Sequence, residues 1–206
     1  MEQKYVSQEI AEQILGRNFR SIQCVRKTFN RPFSKQERKK LELVPYSEET
    51  LKKYAEDHCL IPYVETNLIA IKPAISDTMF DGARNWYLDP QSSCQEKTSI
   101  GWKLIRKECF FESLGKTYED QLASTPEDHE PILASDFIYF LALELKLRYD
   151  PAFLKYWATK ACARTKSFCN SLSLMVDLSY CCIFINGAKR DFVSADLGLI
   201  TAVKPE

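Results

Sequence analysis

The chain has 206 residues, is 45% apolar and 27% charged, and balances 28 basic against 28 acidic side chains. This is the composition of an ordinary soluble globule, long enough to hide roughly 70% of its unfolded surface. Its longest apolar runs, such as "FIYFLAL" at 137–143, fall far short of the ~20 residues of a membrane span, so no membrane partner is expected.

The neutral total hides a local imbalance. Residues 17–40 hold nine Lys/Arg and one Glu, and residues 112–130 hold six Asp/Glu and one Lys. The polar, acidic start "MEQKYVSQEIAEQ" has no apolar segment of the secretory kind, so a cytoplasmic location is expected. Eight cysteines in such a chain read as reduced thiols.

In chain order, Ser7 caps an expected helix over residues 8–15 that Gly16 ends. The basic stretch follows, and its Pro32 breaks any long helix there. Ser34 and Glu37 stand at capping-box spacing and open a helix to about residue 43, ended by Pro45. Ser47 starts a third helix in "SEETLKKYAEDH", with Leu51 and Tyr54 or Ala55 on one face. Then the period changes. "CLIPYV" and "NLIAIKP" read as strands separated by a polar turn. "SIGWKLIRKECFF" alternates around Trp102, Leu104 and Arg106, as a half-buried strand does. "STPEDHEP" reads as a loop between Pro126 and Pro131.

Ser135 is expected to cap "DFIYFLALELKLRYD", with Asp136 in the first turn and Lys146 and Arg148 in the last. Apolar side chains cover most of that helix, which marks it as core. Pro151 opens a further helical stretch, "PAFLKYWATKA". The remainder is strand-like, with Asn186-Gly187 as a hairpin turn.

Gly115-Lys116-Thr117 has the ending of a phosphate-binding loop, but Phe110 stands where the first glycine is required. Glu119 and Asp120 would also meet the anion. Thr117 is better read as the cap of a short helix, "YEDQLA". Asp136 with Glu144-Leu145-Lys146 has the residue types of a magnesium-dependent nuclease. On a helix, however, residues 144 and 146 diverge by ~200°, so a solvated edge of the core helix is expected.

His58 reads as the end of a helix and His129 as a solvated loop residue. Cys59 or Cys109 could join either in a thiol-histidine pair, but no local signature supports one. The chain contains no C-x-x-C. Cys181 and Cys182 are strand neighbours that point to opposite faces. A composite set of Cys162, Cys169 and one of that pair is the metal arrangement to weigh against buried thiols, which are expected; neither a metal nor a cofactor is.

The basic segment is the main candidate site. Arg17, Arg20, Arg26, Lys27, Arg31, Lys35, Arg38, Lys39 and Lys40 suit phosphates or an acidic protein, and Phe19, Phe29 and Phe33 could stack on bases. The competing reading pairs these charges with the acidic remainder of the same chain.

From about Arg31 onward the chain resembles a family of bacterial proteins that carries no assigned activity. The shared words are "PFSKQERKKLELVPYSEETL", "DHCLI", "WYLDPQS", "GWKLIRKECFFESLGKTYEDQ" and "ILASDFIYFLALEL". Their signature is W-x-L-I-R-K followed by S-x-x-K-T-[WY]-x-x-Q, through Trp102, Arg106, Lys107, Ser113, Lys116, Thr117 and Gln121. The resemblance implies that residues 31–206 form one folding unit and that Gly115-Lys116-Thr117 belongs to the family's own motif; the residue pattern makes that unit an α+β domain, with an N-terminal helix and basic segment over 1–30 before it. It carries over no cofactor and no catalytic residue.

The expected fold is α+β: N-terminal helices, a mixed or antiparallel sheet, and one long apolar helix packed on it. The expected function is that of a non-catalytic interaction protein binding an acidic protein or nucleic acid through the basic segment. The alternative is a phosphate-directed enzyme, with Arg106, Lys107 and Lys116 as a polar site and Glu144 and Lys146 nearby. Oligomeric state is not encoded in any of these features.

Overall fold

The computed structural model describes residues 5–71, 96–147, 162–179 and 182–206. Its helices begin where hydroxyls stand ready to cap them. Ser7, Ser21, Ser34, Ser47 and Thr117 each accept a bond from the amide three residues on, opening α1 (Gln8–Leu15), α2 (Ile22–Phe29), α3 (Lys35–Lys40), α4 (Glu48–Lys53) and α6 (Tyr118–Ala123). Each such cap satisfies an amide that would otherwise lack a partner, and is worth about 1 kcal/mol. Ser34 and Glu37 form the full reciprocal box. Gly16 ends α1 at φ +51° and Asn30 ends α2 at φ +47°, a left-handed stop that Gly and Asn tolerate best.

Two short strands, β1 (Val6–Ser7) and β2 (Leu43–Val44), pair antiparallel and tie the N-terminus to the chain after α3. A four-stranded antiparallel sheet follows in the order β3-β4-β10-β5, from β3 (His58–Tyr63), β4 (Gly101–Arg106), β5 (His129–Pro131) and β10 (Thr201–Val203). A second, mixed sheet runs β8-β7-β6-β9, from β6 (Cys162–Cys169), β7 (Leu172–Ser179), β8 (Cys182–Ala188) and β9 (Leu197–Leu199), with β6 and β9 parallel. The chain crosses from one sheet to the other at Ile200, whose amide donates to Arg164 O at 3.1 Å and whose carbonyl accepts from Ile132 N at 3.3 Å. The fold is thus α+β and rich in sheet.

The segment read as one long apolar helix is α7 (Ala134–Leu147), with 14 residues described. Twelve of them are buried, because both sheets claim it. Tyr63 Oη donates to Asp136 O at 2.8 Å and Tyr139 Oη to Pro62 O at 3.2 Å, binding it to the first sheet. Its other side packs on β6, β7 and α2. Each large apolar side chain buried there contributes roughly 1.5–3 kcal/mol. One apolar cluster extends from Val6 to Val203, joining the N-terminal segment to the rest.

Several expectations are corrected. "NLIAIKP" is not a strand at its start: Leu68–Ile71 is the short helix α5, opened by Asn67 Oδ1 accepting from Ala70 N at 3.0 Å. Ser135 is not the cap of α7 but lies in its first turn; Asp136 Oδ2 reaches back to Leu133 N at 3.3 Å instead. Asn186 and Gly187 are not a turn but ladder residues of β8, opposite Met175 and Leu174. A Cβ at Gly187 would lie 2.9 Å from Leu172 Cδ1 and 3.1 Å from Leu172 Cβ, so any larger residue there requires Leu172 to shift. The turn between β6 and β7 uses Asn170 at φ +54°. The helix expected over 151–161, the word "WYLDPQS" and Cys181 lie outside the described residues.

The second motif has a structural account. Buried Gln121 donates from Nε2 to Ser113 O and Leu197 O, both at 2.9 Å, and accepts from Arg164 Nη1 at 3.0 Å. Ser113 Oγ accepts from Leu199 N at 2.8 Å. Gly115 turns the chain at φ +67° and Thr117 caps α6. These residues buckle the Phe111–Ser113 turn and α6 onto β9 and β6.

Candidate functional site

The basic segment folds into α2, α3 and the turns around them, and the structure divides its residues into two groups. Arg20 is turned inward: it is 3% exposed and holds Glu144 of α7 through Nε at 2.6 Å and Nη2 at 2.8 Å. Phe33 and Phe19 are also buried, and Phe19 stacks on Trp102 with centroids 5.6 Å apart. Phe29 stacks on Tyr139 at 4.4 Å. The expected phosphate contact at Arg20 and the expected base-stacking rings are therefore corrected: the core takes them, since the rings gain by burial and the inward-turned Arg20 is held there by the Glu144 carboxylate.

The second group faces outward. Arg17, Arg26, Lys27, Lys35, Arg38, Lys39 and Lys40 are exposed. Two adjoining clefts open beside α2, one toward α3 and one over the turn that follows α2, each of about 600 Å³ and sharing Gln23 and Arg26. The first is lined by Ile22, Phe33, Arg38 and Lys39, with Glu42 as its acid. The second is lined by Lys27, Asn30, Arg31 and Pro32. Arg31 pairs with Glu37 through Nη2 at 2.9 Å, while its buried Nη1 has no hydrogen-bond partner. A buried donor without an acceptor costs about 1–3 kcal/mol. Lys35, Lys40 and Arg17 lie outside both linings.

A second constellation was not legible as a site. His58 is not at a helix end and His129 is not solvated: they sit on β3 and β5, 0% and 4% exposed, and their Nε2 atoms are 3.1 Å apart. Each Nδ1 meets the preceding aspartate, Asp57 Oδ1 at 2.6 Å and Asp128 Oδ1 at 2.8 Å. Tyr54 lays its ring near both imidazoles and donates its hydroxyl to Asp128, which Lys53 also holds at 2.9 Å. Arg106 approaches Asp57 at 3.7 Å. Burial pushes both imidazoles below their ordinary pKa, against the opposing pull of the aspartates. Both carboxyls are held below the usual range despite their own desolvation, Asp57 by His58 and Asp128 by Tyr54, Lys53 and His129. A signal was present: the chain's two histidines both stand in the tripeptide Glu-Asp-His.

No known protein family, curated protein or solved structure matches this chain. The resemblance read from the W-x-L-I-R-K and S-x-x-K-T-Y-x-x-Q words thus rests on those residues themselves.

The other candidates separate in space. Asp136 pairs with Lys103, and Glu144 is not a solvated edge but is buried against Arg20. Eight residues apart on α7, the two acids are about 12 Å distant and do not converge on a metal. Lys146 Nζ donates to Thr28 O at 3.2 Å. Arg106 belongs to the histidine cluster, Lys107 donates to Asn18 Oδ1 at 3.4 Å, and Lys116 sits half-exposed in the turn before α6, so they lie on different elements.

Cys162 and Cys169 occupy opposite ends of β6, roughly 20 Å apart at the rise of a strand. Cys59, beside His58 on β3, points to the other face. Burial raises the Cys109 thiol and pushes Cys162 up to about 12, which leaves both protonated and poor nucleophiles. Among the described residues no group of three or more His, Cys, Asp or Glu is placed to hold a metal ion. No described helix is long and apolar enough to cross a membrane.

Proposed function

We propose that this chain is a non-catalytic interaction protein that takes an acidic segment of a protein partner into the two clefts beside α2. The observation that carries the reading is the pair of adjoining clefts, rimmed by Arg26, Lys27, Arg31, Arg38 and Lys39 beside the partly exposed apolar side chain of Ile22. Exposed cations supply attraction and steering, and Ile22 supplies apolar area that a peptide side chain can cover. A protein partner is favoured over nucleic acid because Phe19 and Phe33 are buried and Phe29 is stacked on Tyr139, which removes the platforms for bases. The half-exposed Arg31 adds a further cation at the second cleft, where a carboxylate can pair with it.

The test is fluorescence anisotropy with a labelled Glu/Asp-rich peptide carrying one Leu, beside single-stranded DNA of equal charge. Peptide binding should weaken about tenfold or more in Arg26→Glu/Arg38→Glu, two exposed changes that leave the core alone. Tighter binding to the DNA, or equal peptide affinity in the double variant, would refute the reading.

A further inference from the structure

The histidine cluster is separate from the proposed binding clefts, and its geometry can be counted in protons. Three contacts run in series: Asp57 Oδ1 to His58 Nδ1, His58 Nε2 to His129 Nε2, and His129 Nδ1 to Asp128 Oδ1. A contact between two lone-pair-bearing atoms is attractive only when one hydrogen lies between them. Two neutral imidazoles bring two hydrogens for three contacts. One more proton completes the series, and a further one would set two N–H groups against each other at 3.1 Å.

We infer that His58 and His129 act as a one-proton switch, taking up a single shared proton between their Nε2 atoms on mild acidification and refusing a second. The rings come from the two edge strands of the first sheet, β3 and β5, with β4 and β10 between them. Facing residues in the ladders put His58, Arg106, Leu104, Val203 and His129 on one side of that sheet. The ends of the series, Asp57 and Asp128, are 51% and 45% exposed, so the proton can reach the buried rings through surface carboxylates.

The charged and titratable groups facing the pair are Lys53 and Tyr54 at the end of α4, Asp57 before β3, Arg106 of β4 and Asp128 before β5. The two carboxylates favour the first proton. Burial and Arg106 oppose charge on either ring, and the first proton's own charge adds to them against the second. Above the transition the series is one hydrogen short, so one of its three contacts must loosen. Below it all three close and tie α4, β3 and β5 together.

Nitrogen-15 spectra of the imidazoles in the full chain, taken from pH 8.5 downward, test this. Both rings should shift with one common midpoint, together gain one proton, and neither should reach the full imidazolium signature. In His129→Gln, His58 should titrate alone and reach that signature, and Asp128→Asn should lower the shared midpoint by about one pH unit. Two full independent titrations in the native chain overturn the inference. So does acid unfolding before any uptake. Zinc ion that binds at neutral pH and shifts both rings would put a metal where the proton is proposed, and overturns it too.

Discussion

Replacing Glu144 by Leu should be among the most damaging single changes outside the apolar core. Glu144 and Arg20 are 2% and 3% exposed and joined by two charge-assisted bonds of 2.6 and 2.8 Å. The variant keeps Arg20's contacts to Arg17 O and Phe19 O but removes the Glu144 carboxylate from a site closed to water. Removing one partner of a buried pair costs about 3–5 kcal/mol, because the surviving charge keeps its desolvation penalty. Against a total stability of about 5–15 kcal/mol this is a large share.

In a urea titration followed by circular dichroism, with a slope of about 2 kcal/mol per molar, the midpoint should fall by about 1.5–2.5 M. Arg20→Met/Glu144→Leu should recover much of that loss, since apolar groups replace the ion pair itself at little cost, and the remaining deficit reflects Arg17 O and Phe19 O left without their donor. A single variant costing under about 1 kcal/mol, or a double variant as unstable as the single, would refute the account of Arg20 as an internal tie.

Stability should also fall in mild acid. The folded pKa of both histidines lies below 6.5, so beneath that pH the unfolded chain binds more protons and gains relative to the native state. The urea midpoint should be level above about pH 7 and then decline, approaching about 1.4 kcal/mol per pH unit for each proton the native pair withholds; a flat profile down to pH 5 counts against it. Gly198→Ala should cost about 1–3 kcal/mol by overpacking, since its Cβ would lie 2.5 Å from Cys109 Cβ and 3.0 Å from Leu114 Cδ2; an unchanged melting curve would mean the strand yields freely. Gln121→Leu should lose about 2–3 kcal/mol, because Ser113 O, Leu197 O and Arg164 Nη1 each lose a buried partner. Thermal melts of that variant beside Lys116→Ala, expected near neutral, check whether the motif is structural.

Local chemistry made much of this molecule readable in advance. A hydroxyl three residues ahead of an amide is a short-range device, so Ser7, Ser34, Ser47 and Thr117 mark helix starts on their own. Alternation placed β4, and the apolar girth of residues 137–145 marked a segment that must be buried on all sides. The concentration of cations in residues 17–40 is likewise a fact of sequence.

What the tertiary structure alone decided is which of those side chains face water and which distant ones meet. Arg20 and Arg26 are equally basic, yet only Arg20 lies where Glu144, 124 residues away, can neutralise it. The two Glu-Asp-His tripeptides are separated by 71 residues and meet only because β4 and β10 close the sheet between their strands. Periodicity and capping act within a few residues of chain, whereas pairing of buried charges and rings depends on long-range packing that no local pattern specifies.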